Sequence, residues 1–200
     1  MPPVTRGFHG RRPASDRVLP PGQHDVGDDF PVLSIGPTPR THPTRWDLQV
    51  TGGAGLPRRW STAEFAALPH EDLTTDLHCV TTWSKFGTSW RGVSVDLLLE
   101  GVSADATHVL VGADGGYSTN LPLSEVTGGR AWVVDTYAGA PLTPEHGGPA
   151  RLLVPHLYLW KSAKWVRSLE LRSTDQPGFW ENLGYHELGD PWREQRYSGD

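Results

Sequence analysis

The chain has 200 residues, a formal net charge of −5 and one cysteine, Cys79. That length gives one sizeable core or two small ones. The charge argues against a general nucleic-acid binder, and the lone Cys79 excludes an internal disulfide framework and any zinc or iron–sulfur site built from several cysteines. Glycine (23), proline (18) and tryptophan (9) take the place of ordinary apolar and charged residues. Such a chain is expected to fold with much loop, its tryptophans packing in a core, lining a pocket or covering an interface.

In chain order, residues 1–29 are rich in Pro, Gly, Arg and Asp and read as an extended or disordered arm. Arg11-Arg12 lies in it, but the apolar segment of an export signal does not follow. No apolar run is long enough to span a membrane, so the expected location is the cytoplasm. "FPVLSIGPTPR", from Phe30, is broken by prolines and reads as a loop against the body. "RWDLQVT" alternates Trp46, Leu48 and Val50 on one face, the period of a half-buried strand. In "STAEFAALP", Ser61 and Glu64 form a capping-box pattern and Pro69 closes a short helix. "TTDLHCV" reads as a strand with Cys79 at its C-terminal end, ahead of a Trp-Lys-Trp loop. "VSVDLLLEGV" reads as a short helix capped by Ser94. "ATHVLVGAD", "YSTNLPL", "RAWVVDTYAG", "ARLLVP" and "AKWVRSLELR" read as strands. Six or seven strands with few short helices and long loops indicate an α+β fold over residues 30–175. The tail, 176–200, carries Phe179, Trp180, Tyr185, Trp192 and Tyr197, too many aromatics for a free tail, so it is expected to pack on the domain.

Three features bear chemistry. On residue type alone, a cysteine on a strand is a small core hydrophobe, a nucleophile or a soft-metal ligand. His78 is its neighbour, but adjacent strand residues face opposite ways, so His78 is poorly placed as a base. Downstream, His146 and Arg151 bracket a glycine-rich turn, and Lys161, Ser162, Lys164 and Arg167 follow. Cations, a hydroxyl and loop amides are what a phosphate requires, although a solvated basic edge has the same composition. "GADGGYSTNLPL" has glycines that allow close backbone approach to a ligand, as they also allow a surface turn.

The order of these pieces resembles a family. "LHCVTTWS", "SWRGVSVDLLLE", "GYSTNLPL", "PLTPEHGGPARLLVP" and "LWKSAKWVRSLEL" make residues 30–172 similar to the molybdopterin-binding domain of the sulfite oxidase family. The tail resembles its short, stand-alone bacterial branch of sulfite oxidase-like oxidoreductases. The resemblance implies a mixed-sheet domain holding molybdenum on a single pyranopterin dithiolene, with Cys79 as the protein's one metal ligand. It places His146, Arg151, Ser162 and Lys164 at the pterin phosphate, with Lys161, Asp114 and Ser34 as further cofactor contacts. Trp83, Lys85, Trp90 and Tyr117 fall at the substrate mouth. The family's Arg-Asn pair reads Leu33 and Ser34 here, and the arginines that follow the cysteine in sulfite oxidisers are replaced by Trp83, Ser84 and Lys85. That pattern implies a weak hold on sulfite. The expected activity is oxygen-atom or two-electron transfer on a small S-oxide, N-oxide or sulfite-like substrate. Haem and immunoglobulin-like modules of larger relatives are not seen in the sequence, so a separate haem, flavin or quinone protein is expected to exchange the electrons. A catalytically inactive molybdopterin-binding protein and a metal-free thiol enzyme are the alternatives.

Overall fold

The computed structural model describes residues 17–54, 57–102 and 105–200. Arg11-Arg12 and the first part of the N-terminal arm lie outside them. The strands are β1 (His24–Asp25), β2 (Asp47–Thr51), β3 (Arg58–Ser61), β4 (Glu71–His78), β5 (Trp83–Ser94), β6 (His108–Ala113), β7 (Ser118–Pro122), β8 (Trp132–Tyr137), β9 (Ala140–Pro141), β10 (Arg151–Leu153) and β11 (Val166–Arg172). The helices are short, α1 (Thr62–Ala66) and α2 (Val95–Leu98), with several 3-10 turns. The capping box is formed: Ser61 Oγ accepts from the Glu64 amide, and the Glu64 carboxylate accepts from the Ser61 amide at 2.8 Å. Ser94 caps α2 one way only, its side chain accepting from the Leu97 amide.

Two sheets result. In the first, β1-β5-β8-β10 run in that order, with β4 also on β5 and β9 on β8. The second is β3-β2-β11-β6-β7. The pairs β1–β5 and β2–β11 are parallel and the other named pairs antiparallel. Leu48, Val50, Val109, Val111, Leu121 and Leu169 of the second sheet meet Val93, Val133 and Leu152 of the first in the main core, with Phe65 of α1 and Leu98 of α2. A second cluster joins Leu77, Trp90, Val134 and Leu153 of the first sheet with Leu142, which follows β9. Val133 and Val134, or Leu152 and Leu153, therefore serve opposite faces, as the two-residue strand period requires. The first sheet is buried on both sides, and its second face carries the candidate site.

The Trp-Lys-Trp segment expected as a loop is instead the 12-residue β5. Gly87, Gly92 and the buried polar residues Ser84, Lys85 and Thr88 blur its alternation, and its ladder with β4 and β8 decides the conformation. Gly92 is required there: a Cβ would stand 2.3 Å from the Val133 carbonyl oxygen. The short β1, β3 and β9 were also not anticipated. Their runs are too brief to show a period, and partner strands define them.

Residues 17–29 lie along the body. The His24 amide donates to Thr82 O at 2.9 Å and the Val26 amide to Ser84 O at 3.0 Å, adding β1 to the edge of β5. The C-terminal tail also packs back. Tyr185 stands edge-on to Trp160, and Glu181 is buried against Lys161.

Candidate functional site

Cys79 follows β4 at once and is 6% exposed. It heads a tight turn: the Thr82 amide donates to Cys79 O at 3.0 Å, and the Cys79 amide to Trp83 O at 2.8 Å. Thr82 takes a left-handed backbone, φ 73°, which is unusual for a β-branched residue. Cys79 clusters with Val26 and Trp83, against which the partly buried Phe30 and Leu159 pack. Burial pushes the Cys79 thiol up; hydrogen bonding to Thr81, with Sγ 3.1 Å from Oγ1, and the charge of Arg196 oppose this. His78 turns the other way, its Nδ1 2.8 Å from Ser84 Oγ and its ring edge-on to Trp192. Burial holds the His78 pKa below that of a free imidazole. The thiol thus has no base from its neighbour, and little exposure for nucleophilic work.

A cationic cluster forms the second half. His146 ends the 3-10 turn Pro144–His146, Arg151 opens β10, and Ser162 and Lys164 follow the 3-10 turn Leu159–Lys161. Arg151, 4% exposed, donates Nη1 to His146 O at 3.1 Å and Nη2 to Ser162 O at 2.8 Å. Lys164 Nζ donates to Leu33 O and Ser34 Oγ, both at 2.7 Å, and to Glu145 O at 3.0 Å. Ser162 Oγ accepts from the Val154 amide at 2.9 Å, which ties the segment to the end of β10. Gly147, at φ 107°, lets the two stems close: a Cβ there would come within 3.0 Å of the Cβ atoms of both Arg151 and Lys164. Burial and then the Arg151 charge bring the Lys164 pKa to about 8. Burial brings that of Arg151 to about 10. His146 is lowered by burial, Arg151 and Lys164 together. Among the described residues, Arg151 and Lys164 are held by carbonyl oxygens and a hydroxyl, with no carboxylate ion pair.

Phe30 joins the halves. Its ring stacks on His146 at 4.1 Å and stands edge-on to Trp83 at 6.3 Å and Trp90 at 6.2 Å. The Arg151 guanidinium lies 5.8 Å over Trp90, whose Nε1 donates to Thr88 Oγ1. Phe30, Gln23 and Arg196 were not singled out from the sequence. For Phe30 one signal existed: it is the only Phe, Tyr or Trp between residue 17 and Trp46. For Gln23, which donates to Cys79 O at 3.1 Å, and for Arg196, there was none.

Other expected site residues are engaged elsewhere. Lys85 Nζ donates to Gly27 O at 2.8 Å and Asp28 O at 3.1 Å, clamping the arm. Lys161, expected as an extra phosphate contact, is fully buried with Nζ 2.5 Å from Glu181 Oε1 and 2.8 Å from Asn120 O. The tail supplies the carboxylate that a buried ammonium needs. Asp114 accepts from Thr41 Oγ1 at 2.6 Å and faces Arg167. Tyr117 donates its hydroxyl to Trp160 O, and burial raises its pKa well above the ordinary phenol.

These residues fit a large anionic, soft-metal cofactor. A buried lone thiol, carbonyl-held cations that repel one another, and the buried indole Nε1 of Trp83, without a partner among the described residues, are what such a group would satisfy. The fold of the sulfane dehydrogenase SoxCD of Paracoccus pantotrophus is similar: TM-score 0.62 at 20% identity, covering 68% of this chain and 40% of that one. The chain is 41% identical over 198 residues to the uncharacterized oxidoreductase YuiH of Bacillus subtilis, covering 96% of this chain and all of that protein. It is 29% identical over 144 residues to the putative protein-methionine-sulfoxide reductase subunit YedZ1 of Azospira oryzae, covering 71% of this chain and 55% of that one. With mitochondrial sulfite oxidase of Drosophila melanogaster it shares 26% over 185 residues, 78% of this chain and 32% of that one. The pattern of the oxidoreductase molybdopterin binding domain matches residues 35–180. The chain belongs to the oxidoreductase molybdopterin-binding domain family, and is a molybdopterin-dependent oxidoreductase of the sulfite oxidase type.

Proposed function

We propose that this oxidoreductase transfers an oxygen atom, or a proton-coupled electron pair, on a small S-oxide, N-oxide or sulfite-like substrate. A separate haem, flavin or quinone protein exchanges the electrons. The observation that carries the reading is the buried thiol of Cys79, linked through Phe30 to carbonyl-held cations. In this reading Cys79 is the single protein ligand to molybdenum, carried by one pyranopterin dithiolene. Bound there, the group supplies reversible two-electron chemistry.

The chain's residues hold and shield that group. Arg151 presents a planar fork and Lys164 a compact charge to the pterin phosphate, flanked by His146 and Ser162. Burial, and after it repulsion from Arg151, depresses Lys164 and His146; a phosphate would offset both. Ser34 sits at the rim, its hydroxyl accepting from Lys164. Trp83 and Trp90 give the mouth aromatic walls that exclude water. Lys85 is spent on two carbonyls, so neutral S-oxides and N-oxides suit this mouth better than the sulfite dianion.

A cytoplasmic location is part of the proposal. Among the described residues no helix is long and apolar enough to cross a membrane. Recovery from a non-cytoplasmic fraction of the native host would overturn the location alone.

The test is metal analysis with an absorption spectrum of protein from a host that makes the cofactor, then a substrate screen with a dye donor. Equimolar molybdenum, lost in Cys79→Ser while the fold remains, is the expected result. A folded Cys79→Ser variant with full metal and activity sinks the reading. Cofactor loading without turnover on any S-oxide, N-oxide or sulfite, in either direction, would leave an inactive binding protein instead.

A further inference from the structure

We propose that Arg196, in the C-terminal tail, is a positioning residue that braces the Cys79 turn and fastens the N-terminal strap to it. The segment at residues 21–26 and the C-terminal tail then close the site together. The proposal rests on Cys79 being the residue that anchors the cofactor.

The guanidinium makes two contacts from one plane. Nη1 donates to Val80 O at 2.6 Å, and Nη2 reaches Pro21 O at 3.5 Å. Its Cζ lies over the ring of buried Tyr158, 5.2 Å from the centroid. Val80 is the residue after Cys79, and Pro21 opens the strap that continues as Gln23 on Cys79 O, His24 on Thr82 O and Val26 in the cluster with Cys79. One tail residue therefore touches the turn and the strap at once. The turn needs such a hold, because Thr82 keeps a left-handed backbone that a β-branched residue disfavours. Surrounding contacts must over-determine that conformation, and those named here come from residues far apart in the sequence. Arginine suits the position because its fork spans two carbonyls while its charge sits over an aromatic ring. A lysine lacks that planar fork.

The experiment compares the full-length chain with Arg196→Gln and Arg196→Lys. Protein from a host lacking the cofactor is treated with iodoacetamide, a neutral reagent, and amide exchange is followed. Arg196→Gln should speed alkylation of Cys79 on the order of tenfold, as loss of a charge-assisted hydrogen bond opens the turn. The Thr82 and His24 amides should lose protection while those of β11 keep theirs, and Arg196→Lys should recover part of both effects. In cofactor-loaded protein, Arg196→Gln should shift the visible absorption with metal content unchanged. Wild-type alkylation, exchange and absorption in Arg196→Gln would overturn the brace. So would protection lost equally from β11, since Arg196 would then hold only the fold as a whole. The cofactor-free readouts stand apart from the metal test on Cys79→Ser, so either idea can fail alone.

Discussion

At the residue scale, the deciding facts are what each charged side chain touches. Lys161 and Lys164 are three positions apart, yet one is sealed against a carboxylate and the other is held by carbonyls. Glu181→Ala strands the Lys161 ammonium with both side chains at 0% exposure. We expect a loss of roughly 3–5 kcal/mol by urea denaturation, because a buried charge is left without its partner. The double variant Lys161→Met with Glu181→Leu should recover most of it. Lys164 gives a pH prediction. Its pKa is about 8 folded, against 10.5 for the ordinary side chain. Between those values the unfolded chain binds more protons, so this group favours folding increasingly as pH rises through that window. Anion binding runs the other way. Inorganic pyrophosphate should bind the cofactor-free protein more weakly as pH rises through about 8, with proton uptake seen by calorimetry in two buffers, and Lys164→Gln should flatten the profile.

At the element scale, the first sheet carries the site because both its faces are used. The β4–β5 hairpin places Cys79 at one end and Trp90 further along, and β8 closes on it at Gly92. Gly92→Ala forces a methyl against the backbone of Val133 and Val134, so the ladder must shift. The expected destabilisation is about 1–3 kcal/mol, read from the thermal midpoint, and Trp90 fluorescence should change with it. The capping box at Ser61, the Ser94 cap, the alternation in β2, β6 and β11, and the strand leading to Cys79 were all legible, since each follows from a local period or a local hydrogen bond. β5 was not. Its buried Ser84, Lys85 and Thr88 read as loop polarity until their partners are known: Gln23 and His78 for the serine, strap carbonyls for the lysine and Thr75 O for the threonine.

At the scale of the whole molecule, cofactor loading should raise stability, since a ligand that binds only the folded state adds to it by mass action. Loaded and cofactor-free protein compared by calorimetry should show a higher midpoint for the first, and Arg151→Met should remove most of the difference. The sequence by itself determined the class of fold, the one thiol, and the order of blocks by which His146, Arg151, Ser162 and Lys164 were recognised. Those features depend on residue type and spacing along the chain. Only the tertiary structure decided that Lys85 and Lys161 are consumed by internal partners, that Phe30 bridges thiol and cations, and that residues 21–26 and the C-terminal tail meet at the Cys79 turn. Each of those is a contact between residues far apart in sequence, where side-chain competition for a buried partner leaves no local period to read.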